Sequence, residues 1–171
     1  MKKNILAHVQ VGENRFRETS GLVYEDFDVG IIFEHRPGRT ITETDCILGS
    51  LIFMNPHPIH IDKVYAQKTE FKQLLVSSSI TLGIISGMTV ASTSAKGVAN
   101  LGWDKIRLKN PVFVGDTLYA ESKIVAKRES KSRPHQGIIT IEVMAYNQND
   151  EIVMTYERTF LIPKAGFDVE Y

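Results

Sequence analysis

Cysteine is nearly absent: Cys46 is alone among 171 residues, so no internal disulfide can form and a packed core must carry the fold. A lone thiol suits a reducing compartment, and the cytoplasm is the expected location. Net charge is missing as well. Twenty Lys and Arg balance twenty Asp and Glu, so no global field draws the chain to nucleic acid or to an anionic membrane surface. No run approaches the roughly 20 apolar residues that cross a bilayer. The basic start Met1-Lys2-Lys3 is followed by no apolar stretch, so the chain reads as untargeted and soluble. Internal repeats and low-complexity tracts are also lacking. What is present is 43% hydrophobic residues, enough in this length for one sizeable core and too little for two.

Residues 1–22 are polar and mixed and read as an arm, with residues 23–171 as a single domain. From Gly30 to Ile41 the chain is extended in character, broken at Pro37-Gly38. Thr42-Glu43-Thr44-Asp45 then looks like a helix start, with acidic side chains at its positive end, and a short helix runs through Phe53. Asn55-Pro56-His57-Pro58-Ile59-His60 reads as a rigid loop, because two prolines fix their own backbones and restrict their neighbours. Ser77-Ser78-Ser79 offers hydroxyl caps for a helix from about Ser79 to Val90, with Ile80, Ile84, Ile85 and Met88 on one face. Gly83 and Gly87 in this helix predict a neighbour packed close against it. Strands follow over Val98–Leu108, Thr117–Ala126, Ile138–Tyr146 and Ile152–Ile162, the last two joined by a turn at Asn147-Gln148-Asn149-Asp150. Ile139, Ile141, Val143 and Ala145 alternate with Thr140, Glu142 and Met144, as a sheet with one buried face requires. One apolar helix followed by an antiparallel meander is an α+β pattern, the sheet wrapping the helix in a hotdog arrangement. A lone hotdog leaves a sheet edge and part of its helix uncovered, so a homodimer or higher homo-oligomer is expected.

Several short segments, in order, resemble the MaoC-like dehydratases and (R)-specific enoyl-CoA hydratases over roughly Tyr24 to Pro163. Tyr24-Glu25-Asp26-Phe27-Asp28-Val29-Gly30 is similar to the family's opening. Pro58-Ile59-His60-Ile61-Asp62 follows its N-P-[LIV]-H-x-D segment, and Arg107-Leu108-Lys109-Asn110-Pro111-Val112-Phe113-Val114-Gly115-Asp116-Thr117-Leu118 its R-F-x-x-P-V-x-x-G-D-T-L. The resemblance implies a hotdog fold, an acyl thioester of CoA or acyl carrier protein as substrate, no cofactor beyond that thioester, and His60 as the catalytic histidine. It implies no metal, although His57, His60 and Asp62 lie close in sequence. Two positions depart from the pattern. Where the family has D-x-N-P-[LIV]-H, this chain reads Asn55-Pro56-His57-Pro58-Ile59-His60, so an amide replaces the catalytic aspartate and His57 replaces the asparagine. Where the family has H-G-M, this chain has Ser77-Ser78-Ser79, in which the Ser78 backbone N–H keeps the glycine's role toward the thioester carbonyl.

The expected catalytic residues are therefore Asn55, His60 and Ser78. Expected to bind substrate are His57, Ser77, Ser79, Ser86, which matches a family serine near the active site, and Lys131 and Arg133. The last two belong to the basic stretch Lys127–Arg133, whose cations suit CoA phosphates. Three activities fit: hydration of a trans-enoyl-CoA or dehydration of an (R)-3-hydroxyacyl-CoA, thioester hydrolysis, or binding of acyl-CoA without chemistry. An amide orients water but cannot titrate, which is what keeps the last reading open.

Overall fold

The computed structural model describes residues 8–169. Along them run β1 (His8–Gly12), β2 (Arg15–Glu18), a 3-10 turn (Tyr24–Asp26), β3 (Ile32–Thr40), α1 (Glu43–Ile52), α2 (Pro58–Ile61), α3 (Lys63–Ala66), α4 (Ser78–Thr89), β4 (Ala99–Leu108), β5 (Thr117–Glu129), β6 (Gln136–Tyr146) and β7 (Ile152–Pro163). Five strands form one antiparallel sheet in the order β3-β5-β6-β7-β4. The alternation read in β6 becomes its two faces. Ile139, Ile141, Val143 and Ala145 are fully buried, while Thr140 and Met144 are half-buried and Glu142 is exposed on the other side. Helix α4 lies on the buried face and contributes Ile80, Thr81, Ile85, Ser86 and Thr89 to the interior. Ile84 and Met88 pack at its margin, half-buried. A sheet wrapped round one central helix is the hotdog fold.

The start of α1 is a reciprocal cap. Thr42 Oγ1 accepts from the Asp45 N–H at 3.1 Å while the Asp45 carboxylate accepts from the Thr42 N–H at 2.8 Å. Gly115, at φ +98°, makes the tight turn before β5 that an L side chain would strain, and Asp116 closes it by accepting from the Phe113 N–H at 2.8 Å.

Four expectations need correction. Part of the expected arm is a β-hairpin, β1 paired with β2 in a sheet of its own; β2 is exposed throughout, so no buried face left a pattern to read. Residues 1–7 of that arm, and 170–171, lie outside the described residues. Strand β3 continues through Pro37-Gly38 by a register shift between His35 and Arg39, accommodating a proline that has no N–H to give. The expected rigid loop holds the short helix α2, which Pro58 begins at a position where a missing N–H costs nothing. Gly83 and Gly87 do not meet a neighbour: a Cβ on either would find nothing within 4 Å. The close approach is instead at Gly49 of α1, where a Cβ would lie 2.8 Å from Ile80 Cδ1. Strand β4 ends the sheet with Leu101, Trp103, Ile106 and Leu108 exposed along it.

Candidate active site

The segment between α3 and α4 ties the site together through Leu75 and Val76. Leu75 N–H donates to the Ile59 carbonyl at 3.2 Å, Leu75 pairs with Phe113 in an isolated bridge, and Val76 N–H donates to the Val112 carbonyl at 2.9 Å. The Leu75 carbonyl in turn accepts from His60 Nδ1 at 2.6 Å. A carbonyl oxygen cannot donate, so Nδ1 carries the proton and the neutral ring keeps its lone pair on Nε2. The Cys46 thiol donates to the His60 carbonyl at 3.3 Å and the Leu75 carbonyl at 3.5 Å. Burial, reinforced by Glu43's charge, pushes that thiol up to about 11, so it remains a protonated donor at neutral pH.

The residue preceding α4 is Ser77, not Ser78 or Ser79, and its hydroxyl does not cap the helix. It lies 3.1 Å from the Ser79 hydroxyl instead, a correction to the capping role expected of these serines. The first-turn amides are thus left without a side-chain acceptor at the positive end of a 12-residue helix. The first intrahelical contact is made by the Thr81 N–H, on the Ser77 carbonyl at 3.1 Å.

His60 and Ser78 line one cavity of about 370 Å³, together with Phe71, Leu75, Val76, Thr81 and, from the other wall, Leu108, Lys109, Asn110, Pro111, Val112 and Val153. An imidazole base and a helix N-terminus at one apolar space can take a proton from water and stabilise an oxyanion there.

The other expected site residues do not line it. Asn55 Oδ1 accepts from the His57 N–H at 3.3 Å, which is turn chemistry, and leaves its Nδ2 amide as the group free to donate to another molecule. His57 is exposed, its Nδ1 accepting from the Ile59 N–H at 3.2 Å and its ring centroid 5.8 Å from that of His60. Ser77 is buried and Ser79 half-buried beside it. Ser86, two turns along α4, is 3.1 Å from the Tyr156 hydroxyl and accepts from Trp103 Nε1 at 3.2 Å, in a buried seam between α4 and the sheet. Lys131 and Arg133 are exposed in the β5–β6 hairpin, whereas the cavity adjoins the opposite end of the sheet, roughly 30 Å away along the 11 residues of β6. Lys127, nearer the cavity in the same basic stretch, is structural: its ammonium donates to the Phe27 carbonyl at 2.6 Å and sits 4.6 Å from the Tyr24 ring centroid.

Sequence reasoning passed over Cys46 as a hydrogen-bonding neighbour of His60, and over Lys109 as a cavity residue. Spacing gives no signal for the first. The second stands inside the Arg107–Leu118 segment, where a lysine before Asn110-Pro111 is the one hint.

The sequence profile of the family described as MaoC like domain matches residues 27–147. The β-methylmalyl-CoA dehydratase of Chloroflexus aurantiacus is 31% identical over 144 residues, which are 84% of this chain and 41% of that protein. The (R)-specific enoyl-CoA hydratase of Aeromonas caviae is 30% identical over 107 residues, 63% of this chain and 75% of its own. The solved MaoC-like dehydratase of Rhodospirillum rubrum superposes with a TM-score of 0.75 at 28% identity, covering 86% of this chain and 100% of that one. The chain spans less than half the length of the first of these relatives.

Proposed function

This chain belongs to the MaoC-like domain family, and from that premise we propose that it is a lyase adding water to a trans-enoyl-CoA, or removing it from an (R)-3-hydroxyacyl-CoA. The observation that carries the reading is the shared cavity of His60 and Ser78, with the His60 tautomer set by Leu75. In the forward direction His60 Nε2 takes a proton from water as the water oxygen bonds to the β carbon. Negative charge gathers on the thioester oxygen, which the Ser78 N–H at the start of α4 stabilises. The imidazolium then returns a proton to the α carbon, so one water is added and nothing else is consumed. Asn55 does not line the cavity and carries no step of this scheme. The scheme uses no cofactor beyond the CoA of the substrate, and an acyl-carrier-protein thioester would present the same reacting group.

The names of the two relatives, a dehydratase and a hydratase of CoA thioesters, support the same chemistry. Purified protein offered crotonyl-CoA tests it: a gain of one water by mass without thiol release is expected. Free thiol would replace the reading with thioester hydrolysis, and unchanged bound ester with a binding protein.

The working unit in this reading is a homodimer. Leu101, Trp103 and Leu108 are 52%, 43% and 59% exposed along β4, whose outer edge pairs with no strand among the described residues, and those residues also leave the glycine face of α4 uncovered. Sedimentation should give a dimer at micromolar concentration; a monodisperse monomer would refute it.

A further inference from the structure

Lys109 is the only lysine, arginine or acidic residue among those lining the cavity that holds His60 and Ser78. Its ammonium makes no hydrogen bond or ion pair with a described residue. Its backbone is fixed, although the side chain is exposed. The Lys109 N–H donates to the Val153 carbonyl at 2.9 Å, and the adjacent Asn110 side chain donates to the Ile152 carbonyl at 2.8 Å. A cation that lines an otherwise largely apolar cavity, exposed to solvent and without a partner among the described residues, is a recognition group for an anion, because the remaining lining offers a bound anion no other charged side chain. At about 370 Å³ the cavity is near the lower end of ligand sites, of a size for a short acyl group and its thioester rather than for a whole CoA.

We propose that Lys109 is a specificity-determining residue. Its ammonium pairs with a carboxylate at the far end of a short acyl chain, so the site favours CoA monothioesters of dicarboxylic acids over neutral acyl-CoAs of equal length. The proposal rests on the hydratase reading for the reaction, while the selection itself is measurable by binding alone.

The test compares wild type with Lys109→Met and Lys109→Glu. Calorimetry on succinyl-CoA and butyryl-CoA, unreactive four-carbon esters with and without the carboxylate, gives the binding ratio. Hydration of fumaryl-CoA and crotonyl-CoA gives the ratio of kcat/KM. Wild type should prefer the carboxylated ester in both. Lys109→Met should lower each preference about tenfold, as expected for a lost hydrogen bond to a charged group, and Lys109→Glu should lower it further. The same loss should appear with succinyl- and butyryl-pantetheine, which lack the nucleotide phosphates.

Equal weakening of both CoA esters by Lys109→Met, absent with the pantetheine esters, would assign the lysine to CoA phosphate and overturn the proposal. So would a preference that moves less than twofold, or a wild type that binds neither ester. Failure to hydrate crotonyl-CoA or fumaryl-CoA would refute the hydratase reading separately, with the calorimetric ratio still deciding Lys109.

Discussion

His60 Nδ1 lies 2.6 Å from the carbonyl oxygen of Leu75, 15 residues further along the chain, and this contact fixes which ring nitrogen is available for chemistry. Leu75 is itself tied to Ile59 and Phe113, so the imidazole is oriented by backbone from three parts of the sequence.

Removal of that imidazole should therefore cost chemistry more than stability. His60→Ala is expected to lower kcat for crotonyl-CoA hydration by roughly 10²- to 10⁴-fold, the range of general acid–base catalysis, with the thermal midpoint nearly retained. A residual rate within tenfold of wild type would remove His60 from the mechanism.

Asn55→Asp should fold normally, because an aspartate accepts the His57 N–H as the amide does. It should also leave the hydration rate nearly unchanged, because residue 55 does not line the cavity that holds His60. Reduced activity in this variant, measured with the same crotonyl-CoA assay, would make the Asn55 N–H₂ donor a working part and leave His60 to handle the proton alone.

Ser86 links Tyr156 and Trp103 in the seam between α4 and the sheet. Ser86→Ala leaves the buried Tyr156 hydroxyl and the indole N–H of the more exposed Trp103 without that partner and should destabilise the fold by about 1–3 kcal/mol in urea denaturation. A change confined to the Michaelis constant, with stability untouched, would return Ser86 to the substrate site.

His35 gives the fold a dependence on acid. Its ring is buried between the Ser122 hydroxyl at 2.7 Å and the Ser92 hydroxyl at 3.2 Å, and burial, aided by the neighbouring Arg36 charge, lowers it to about 4. The folded value lies below the ordinary 6.5, so the unfolded chain binds the proton first. This contribution is complete above about pH 6.5 and is lost as pH falls toward 4, at up to roughly 1.4 kcal/mol per pH unit. His35→Gln should flatten the denaturation midpoint over that window; an unaltered slope would show that other groups set it.

Sequence by itself determined the elements whose signals are local. Alternation in β6, the Thr42–Asp45 cap and the turn residues at Asn147–Asp150 each act within a few residues, and with the apolar stripe of α4 they sufficed for an α+β hotdog. The Pro58-Ile59-His60 segment likewise marked His60 before any geometry was available. Tertiary structure decided the rest because it depends on contacts between distant residues. Whether Gly83, Gly87 or Gly49 met a neighbour was set by how α1 and α4 face one another. The His60 tautomer needed a carbonyl 15 residues away, and Ser86 was taken from the site by Tyr156, 70 residues away. Strand direction carried Lys131 and Arg133 to the end of the sheet opposite the cavity, and the return of the chain after β4 brought Lys109 to its wall.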